Sequence, residues 1–182
     1  MILADWQIRD AVRDRHILIS PFSHQNINPA SYDVTLGNEF LIIDHVDAID
    51  PHKSILWGDP YIANEYLIMP QEHVLATTVE IIGLANGIVA QLNGKSSWGR
   101  LGITIHQTAG YIDPGFNGQI TLEIFNVNKH TPVILRAGDR IGQLVFQTME
   151  RSKYPYNAKK GSKYMFQKGV VPSKYYKNFE GE

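Results

Sequence analysis

The spacing of hydrophobic positions changes period early in this chain. Ile8, Ala11 and Val12 fall at i, i+3 and i+4, with Asp5 placed to cap them. That pattern predicts a short N-terminal helix. Beyond it the period is two. Tyr32, Val34 and Leu36 alternate with Asp33 and Thr35; Ile120, Leu122 and Ile124 alternate with Thr121, Glu123 and Phe125. Ile141, Gln143 and Val145 alternate with Gly142, Leu144 and Phe146. Further apolar runs at 40–43, 66–69, 74–79, 87–92, 103–106 and 132–135 read as strands, punctuated by Gly, Asn, Asp and Pro. Many short strands with such turns predict a mainly β fold, a barrel or double sheet of jelly-roll type, with one short helix. The segment 44–64 lacks a clear period and reads as a long loop or arm. No repeat or linker divides the chain, so residues 1–182 read as a single domain.

Composition narrows the function classes. With 182 residues, 43% of them hydrophobic, the chain can bury a core. Its net charge of −1 argues against a dedicated nucleic-acid binder. It has no cysteine, which excludes disulfides and thiolate metal sites. No apolar run approaches the roughly 20 residues of a membrane span, and charge interrupts the N-terminus too early for a signal peptide. A cytoplasmic protein is the expectation. The charge is uneven, however. Between Arg151 and Lys177 lie eight Lys/Arg, no Asp/Glu and five of the nine tyrosines. Residues 151–182 read either as a solvated tail or as a basic, aromatic lid over an anion.

The chemistry concentrates between Gly94 and Glu123. Gly94-Lys-Ser-Ser-Trp-Gly-Arg-Leu-Gly102 offers turn N–H groups, hydroxyls and two cations suited to phosphate oxygens. It fails as a Walker A loop because Val89 stands where the first glycine is required, and strands are expected on both sides. An ordinary polar hairpin is the plain alternative. Asp113-Pro-Gly115 is a turn in its own right, and Phe116 after it can serve the core or press on a sugar. Glu123 is the most diagnostic residue. It lies opposite Ile120, Leu122 and Ile124 on its strand, where a covered carboxylate is costly unless paired, hydrogen-bonded or functional. The plain alternative is a half-exposed strand acid. His106 reads as structural. Ser96, His106 and Asp113 do not make a triad, because no nucleophile elbow supports one. The seven histidines show no paired metal-ligand spacing, and the zinc-deaminase signature needs cysteines that are absent.

These motifs resemble, in order and spacing, those of the dCTP deaminase branch of the trimeric dUTPase superfamily. Pro29-Ala-Ser-Tyr-Asp-Val-Thr-Leu-Gly37 looks like the first motif, and 94–102 like the second. Residues 109–120 look like the third, and Gly138-Asp-Arg-Ile-Gly-Gln-Leu-Val-Phe146 like the fourth. The tail Gly161-Ser-Lys-Tyr-Met-Phe-Gln-Lys-Gly169 resembles the deaminase tail rather than the Gly-rich loop of plain dUTPases. The resemblance implies a distorted β barrel in a homotrimer, with active sites between subunits. It implies dCTP and dUTP as ligands, dTTP as a feedback inhibitor, and Mg2+ carried by the triphosphate and water without a direct protein ligand or zinc. It assigns Glu123 as the base for deamination at C4 of cytosine. Ser96 and Arg100 would place water, base or phosphates, and Asp113 would bind the sugar. Ala109 matches the small residue at the pyrimidine edge. Lys163, Tyr164 and Gln167 would close over the triphosphate, and Asp33 would lie near metal and phosphates. Lys95, Ser97, Gly110, Tyr111, Phe116, Gln143 and Tyr156 complete the expected substrate contacts.

Two departures matter. Lys95 stands where the family usually has Arg, which keeps the charge but loses the bidentate fork. Gly110-Tyr111 resembles the bifunctional type that converts dCTP to dUMP and pyrophosphate, whereas deaminases that release dUTP carry His-Arg there. The expectation is therefore a dUMP-forming dCTP deaminase. Its rivals are a dUTP-releasing deaminase, a dUTPase or other nucleotide pyrophosphatase, and a non-catalytic nucleotide sensor.

Overall fold

The structure, a computed structural model, describes residues 1–43, 47–55, 57–108 and 110–179. Helix α1 (Asp5–Arg13) buries Ile8 and Ala11. Asp5 is not its cap: Ala4 holds that place, and its N–H is taken by Gln7 Oε1 at 3.0 Å. Asp5 instead supplies an acid in the first turn, where the helix dipole favours one.

The rest is mainly β, as the period-two pattern predicts. Strands β1 (Ile17–Ser20), β2 (Ile27–Asn28), β3 (Ser31–Leu41), β4 (Tyr61–Ile62) and β5 (Glu65–Ile68) precede the long β6 (His73–Leu84). Then come β7 (Ile88–Gly94), the single helical turn α2 (Ser96–Gly99), β8 (Ile103–Thr104) and β9 (Tyr111–Ile112). β10 (Asn117–Asn126), β11 (Val133–Arg136) and β12 (Arg140–Thr148) complete the set. One curled sheet runs β8-β10-β6-β3-β12-β7-β9, with β1 on β6 and β2 and β4 on β3; β11 and β5 form a separate pair. All pairings are antiparallel.

The run at 32–36 and the start of that at 40–43 belong to one strand, β3, which ends at Leu41; its register against β6 shifts between Leu36 and Phe40. Part of 44–64 is strand, because β4 pairs with Glu39 and Phe40. The stretch after Gly94 is neither a hairpin nor directly strand-flanked, since α2 follows β7 at once. Tyr32, Phe40, Leu92, Leu122, Ile124 and Phe146 fill the core at 1% exposure or less. β10 alternates without fault: Ile120, Leu122 and Ile124 face in, while Thr121, Glu123 and Phe125 are half-buried on the other face.

Glu80 on β6 is a buried acid at 2% exposure. Its Oε2 accepts from Thr35 N at 2.9 Å and its Oε1 from Thr35 Oγ1 at 2.8 Å. Burial pushes its pKa above the usual carboxylate range, and the Thr35 bonds offset part of that. The folded state thus binds this proton more tightly than the unfolded chain. Stability from this group is lost as pH rises from the unfolded value through the raised folded value. Glu80→Gln removes the ionisation and keeps an acceptor for Thr35. Thermal melts of the variant should change less with pH above the ordinary carboxylate range and be no lower at the neutral end. A lower melting temperature at neutral pH would show that the charge itself is needed.

Candidate active site

Two concavities hold most of the residues singled out by sequence. The larger, about 640 Å3, is floored by β6 and β10 and walled by the turn after β9, the arm between β3 and β4, and the tail. Asp113, Phe116, Glu123, Tyr156, Tyr164 and Gln167 line it, with Tyr111 at the β9 edge.

Glu123 reaches this floor because β10 alternates so cleanly. Its Oε2 accepts from the backbone N–H groups of Gln107 at 2.9 Å and Thr108 at 3.3 Å. Among the described residues its Oε1 takes no hydrogen bond. One oxygen is thereby fixed and the other is available to a ligand or water. Asp113 sits exposed at the tip of its turn, whose Phe116 N–H closes on Asp113 O at 3.2 Å. The Phe116 ring meets Tyr156 edge-on at 5.8 Å.

The tail lies along β10 like an added strand. Phe166 N donates to Asn117 O at 2.7 Å, and Gln119 N donates to Gln167 O at 3.0 Å. Gly118 permits this approach, since a Cβ there would lie 3.1 Å from Gln167 N. Tyr156 Oη accepts from Tyr164 N at 3.1 Å, and Tyr164 Oη accepts from Lys174 N at 3.0 Å. Gln167 Oε1 is buried and has no hydrogen-bond partner among the described residues. Gln167 also lines the cavity, and a buried acceptor left unpaired is costly until a donor reaches it.

The smaller concavity, about 500 Å3, lies around α2 and includes Lys95, Ser96, Ser97, His106 and Gln143. The structure does not bring these residues together with Glu123 in one cavity. Arg100 is exposed at the end of α2, and Lys163 is half-buried in the tail; neither lines either of these two concavities. Ala109 lies outside the described residues.

Lys95 has a partner already. Its Nζ lies 2.7 Å from Asp33 Oδ2, and that carboxylate is 2% exposed. Asn28 Nδ2 donates to Asp33 Oδ1 at 2.8 Å, and Arg140 Nη1 stands 3.8 Å from Oδ2. Asp33 is therefore enclosed by side chains rather than open as a direct metal ligand. Among the described residues there is no cluster of three or more His, Cys, Asp or Glu that could hold a metal ion. Gly110 is also constrained: a Cβ there would lie 2.5 Å from Leu92 O and 3.4 Å from His106 Nε2. Any side chain at 110 would have to push a strand carbonyl aside.

Sequence reasoning missed part of the larger cavity. Pro51, Lys53 and Trp57 of the arm line it, as does His73 at the head of β6. The arm carried no periodic pattern, and the pairing that sets His73 beside the site is a long-range register.

A family model described as dCTP deaminase-like matches residues 2–149. The chain belongs to that family. Proteins named dCTP deaminase, dUMP-forming, resemble this dCTP deaminase-like chain closely. The one from Methanospirillum hungatei is 47% identical over 98% of this chain and 98% of its own length. That from Methanocaldococcus jannaschii is 42% identical over 95% of each. The fold agrees with the crystal structure of 2'-deoxycytidine 5'-triphosphate deaminase from Agrobacterium tumefaciens, at TM-score 0.65 and 22% identity over 81% of this chain. The matched part is about half of that structure, 48% of its length. The resemblance read from the four motifs thus holds at the level of family and fold. Among the described residues no helix is long and apolar enough to cross a membrane.

Proposed function

We propose that this chain hydrolyses dCTP to dUMP, ammonia and pyrophosphate in the cytoplasm, as a homotrimer. The observation that carries the reading is Glu123: a carboxylate held by two backbone N–H groups in the same cavity as the Asp113–Phe116 turn. The dUMP-forming name of the full-length relatives supports the second half of the reaction. Gly110, which has no room for a side chain, favours that type over one that stops at dUTP.

The cytosine would lie with C4 near the free oxygen of Glu123. That oxygen takes a proton from the attacking water and returns it to the ring. The second water proton passes by the same carboxylate to the amino group, which leaves as ammonia. Glu123 ends as it began, so the group acts as base and then acid. Asp113 would hold the 3'-hydroxyl and orient the water that attacks phosphorus in the second step. Phe116 and Tyr156 would pack against the deoxyribose and exclude a 2'-hydroxyl. Tyr164, Gln167 and Lys163 would draw the tail, residues 151–182, over the nucleotide as a lid.

Lys95, Ser96, Ser97 and Gln143, the groups assigned to phosphate in this reading, line the other concavity. A site shared between subunits meets that separation, because one chain's smaller concavity and Arg100 would complete a neighbour's larger one. The donor set there is cationic and hydroxylic, and Asp33 is enclosed, which suits Mg2+ held by the triphosphate and water. When bound, that ion would neutralise phosphate charge and favour departure of pyrophosphate. dTTP shares the sugar and triphosphate and lacks the 4-amino group, so it would occupy the site as an inhibitor.

Incubation with dCTP and magnesium, with dUTP, dUMP, dCMP and ammonia resolved, tests the reading. dUMP should form without free dUTP accumulating. dUTP as the end product would replace it with a single-step deaminase, and dCMP would indicate a pyrophosphatase. No turnover of dCTP or dUTP would leave a nucleotide sensor.

A further inference from the structure

His73 shares the floor of the larger cavity with Glu123. It opens β6 opposite Phe125, while Glu123 stands opposite Leu75. Side chains two apart on paired strands are diagonal neighbours on one face, with backbones roughly 7 Å apart and within reach of long side chains. His73 is exposed at the head of β6, yet partial desolvation in the cavity pushes its imidazole below its ordinary pKa, while the negative charge of Glu123 pulls it back up. The two side chains therefore feel one another across a shared pocket.

We propose that His73 is a positioning residue for Glu123, holding it in the ionised form that can accept the water proton when the surroundings turn acidic. The inference rests on the reading of Glu123 as the deamination base. A cation beside a carboxylate favours its charged form. As pH falls, His73 gains its proton and opposes protonation of Glu123. Above the imidazole range His73 is neutral and the effect vanishes. Other titratable groups on the wall are Lys53 of the arm, Asp113 and Tyr111 near β9, and Tyr156, Tyr164, Tyr175 and Tyr176 of the tail. Lys53 is paired with Asp50 at 3.3 Å, and Asp113 acts in the sense opposite to His73. All of them persist in a His73 variant, so a change in its pH profile reports on position 73.

The test is the pH dependence of ammonia release from dCTP. In His73→Phe the acid limb should move to higher pH, with the alkaline arm in place. His73→Lys, which keeps a cation, should leave the acid limb where it is in the parent protein. An unmoved limb in the Phe variant overturns the proposal. So does an equal shift in both variants, which would mean a packing role. A second measurement needs no change at position 73: proton NMR titration of the His73 imidazole in the parent and in Glu123→Gln. Loss of the carboxylate should lower the imidazole pKa, because the coupling is reciprocal; an unchanged titration overturns the proposal. Ammonia release surviving in Glu123→Gln would instead remove the base reading itself, so the two failures are distinguishable.

Discussion

Glu123→Gln is expected to cut ammonia release from dCTP by about 10²- to 10⁴-fold, the range a positioned acid–base group supplies. Nucleotide binding should persist. Glutamine keeps the shape and still offers an oxygen to the Gln107 and Thr108 N–H groups that hold Glu123 at 2.9 and 3.3 Å. It cannot take a proton from water. Pyrophosphate release from dUTP should also survive, because the proposed mechanism rests that step on Asp113 and the groups around Lys95. Equilibrium binding of dCTP and separate assays of ammonia and pyrophosphate decide the matter. Retained deamination would remove Glu123 from its role. Loss of both reactions and of binding would mean that the carboxylate holds the 107–108 backbone in place and does no chemistry.

Glu123 was legible because strand periodicity puts it on a definite face. Ile120, Leu122 and Ile124 at 8%, 0% and 0% exposure declare the inner face, so the acid must look out from the other. β3 and β12 were legible for the same reason. What periodicity could not convey was reach across the chain. β1 and β9 are short, and their pairing with β6 and β7 depends on register set far away. The Asp33–Lys95 pair spans 62 residues, and no local pattern links an acid in the first motif to a cation in the second.

The candidate site shows the same division. Asp113 and Phe116 belong to a turn whose sequence announces itself, and the tail's tyrosines stood out by composition. The arm did not, because Pro51 and Trp57 enter the cavity through irregular chain with no period to read. The division of Lys95, Ser96 and Ser97 from Glu123 and Asp113 between two concavities was also hidden. Sequence places Lys95 and Glu123 within one short stretch, yet β7 and β10 lie in different parts of the sheet.

Lys95→Met is expected to destabilise the protein by about 3 kcal/mol, the lower end for breaking a buried ion pair. The lower end applies because a quarter of the Lys95 side chain remains exposed, at 25%, and solvent screens part of the interaction. The cost comes from Asp33, whose side chain at 2% exposure keeps, among the described residues, Asn28 and a distant Arg140 at 3.8 Å. Asp33→Asn in the same chain should recover much of the loss, because it removes the charge left unpaired. A double-mutant cycle by denaturant unfolding should therefore show a coupling of about 1–3 kcal/mol. Additive losses would mean that the 2.7 Å contact contributes little in solution. Lys95→Arg separates structure from chemistry. It keeps a cation for Asp33 and adds donors in a planar fork, so stability should hold. If the spare donors reach substrate phosphate, KM for dCTP should fall while the unfolding midpoint stays put. If Asp33 takes the whole guanidinium, neither quantity should move, and the role of position 95 would be to neutralise the buried acid.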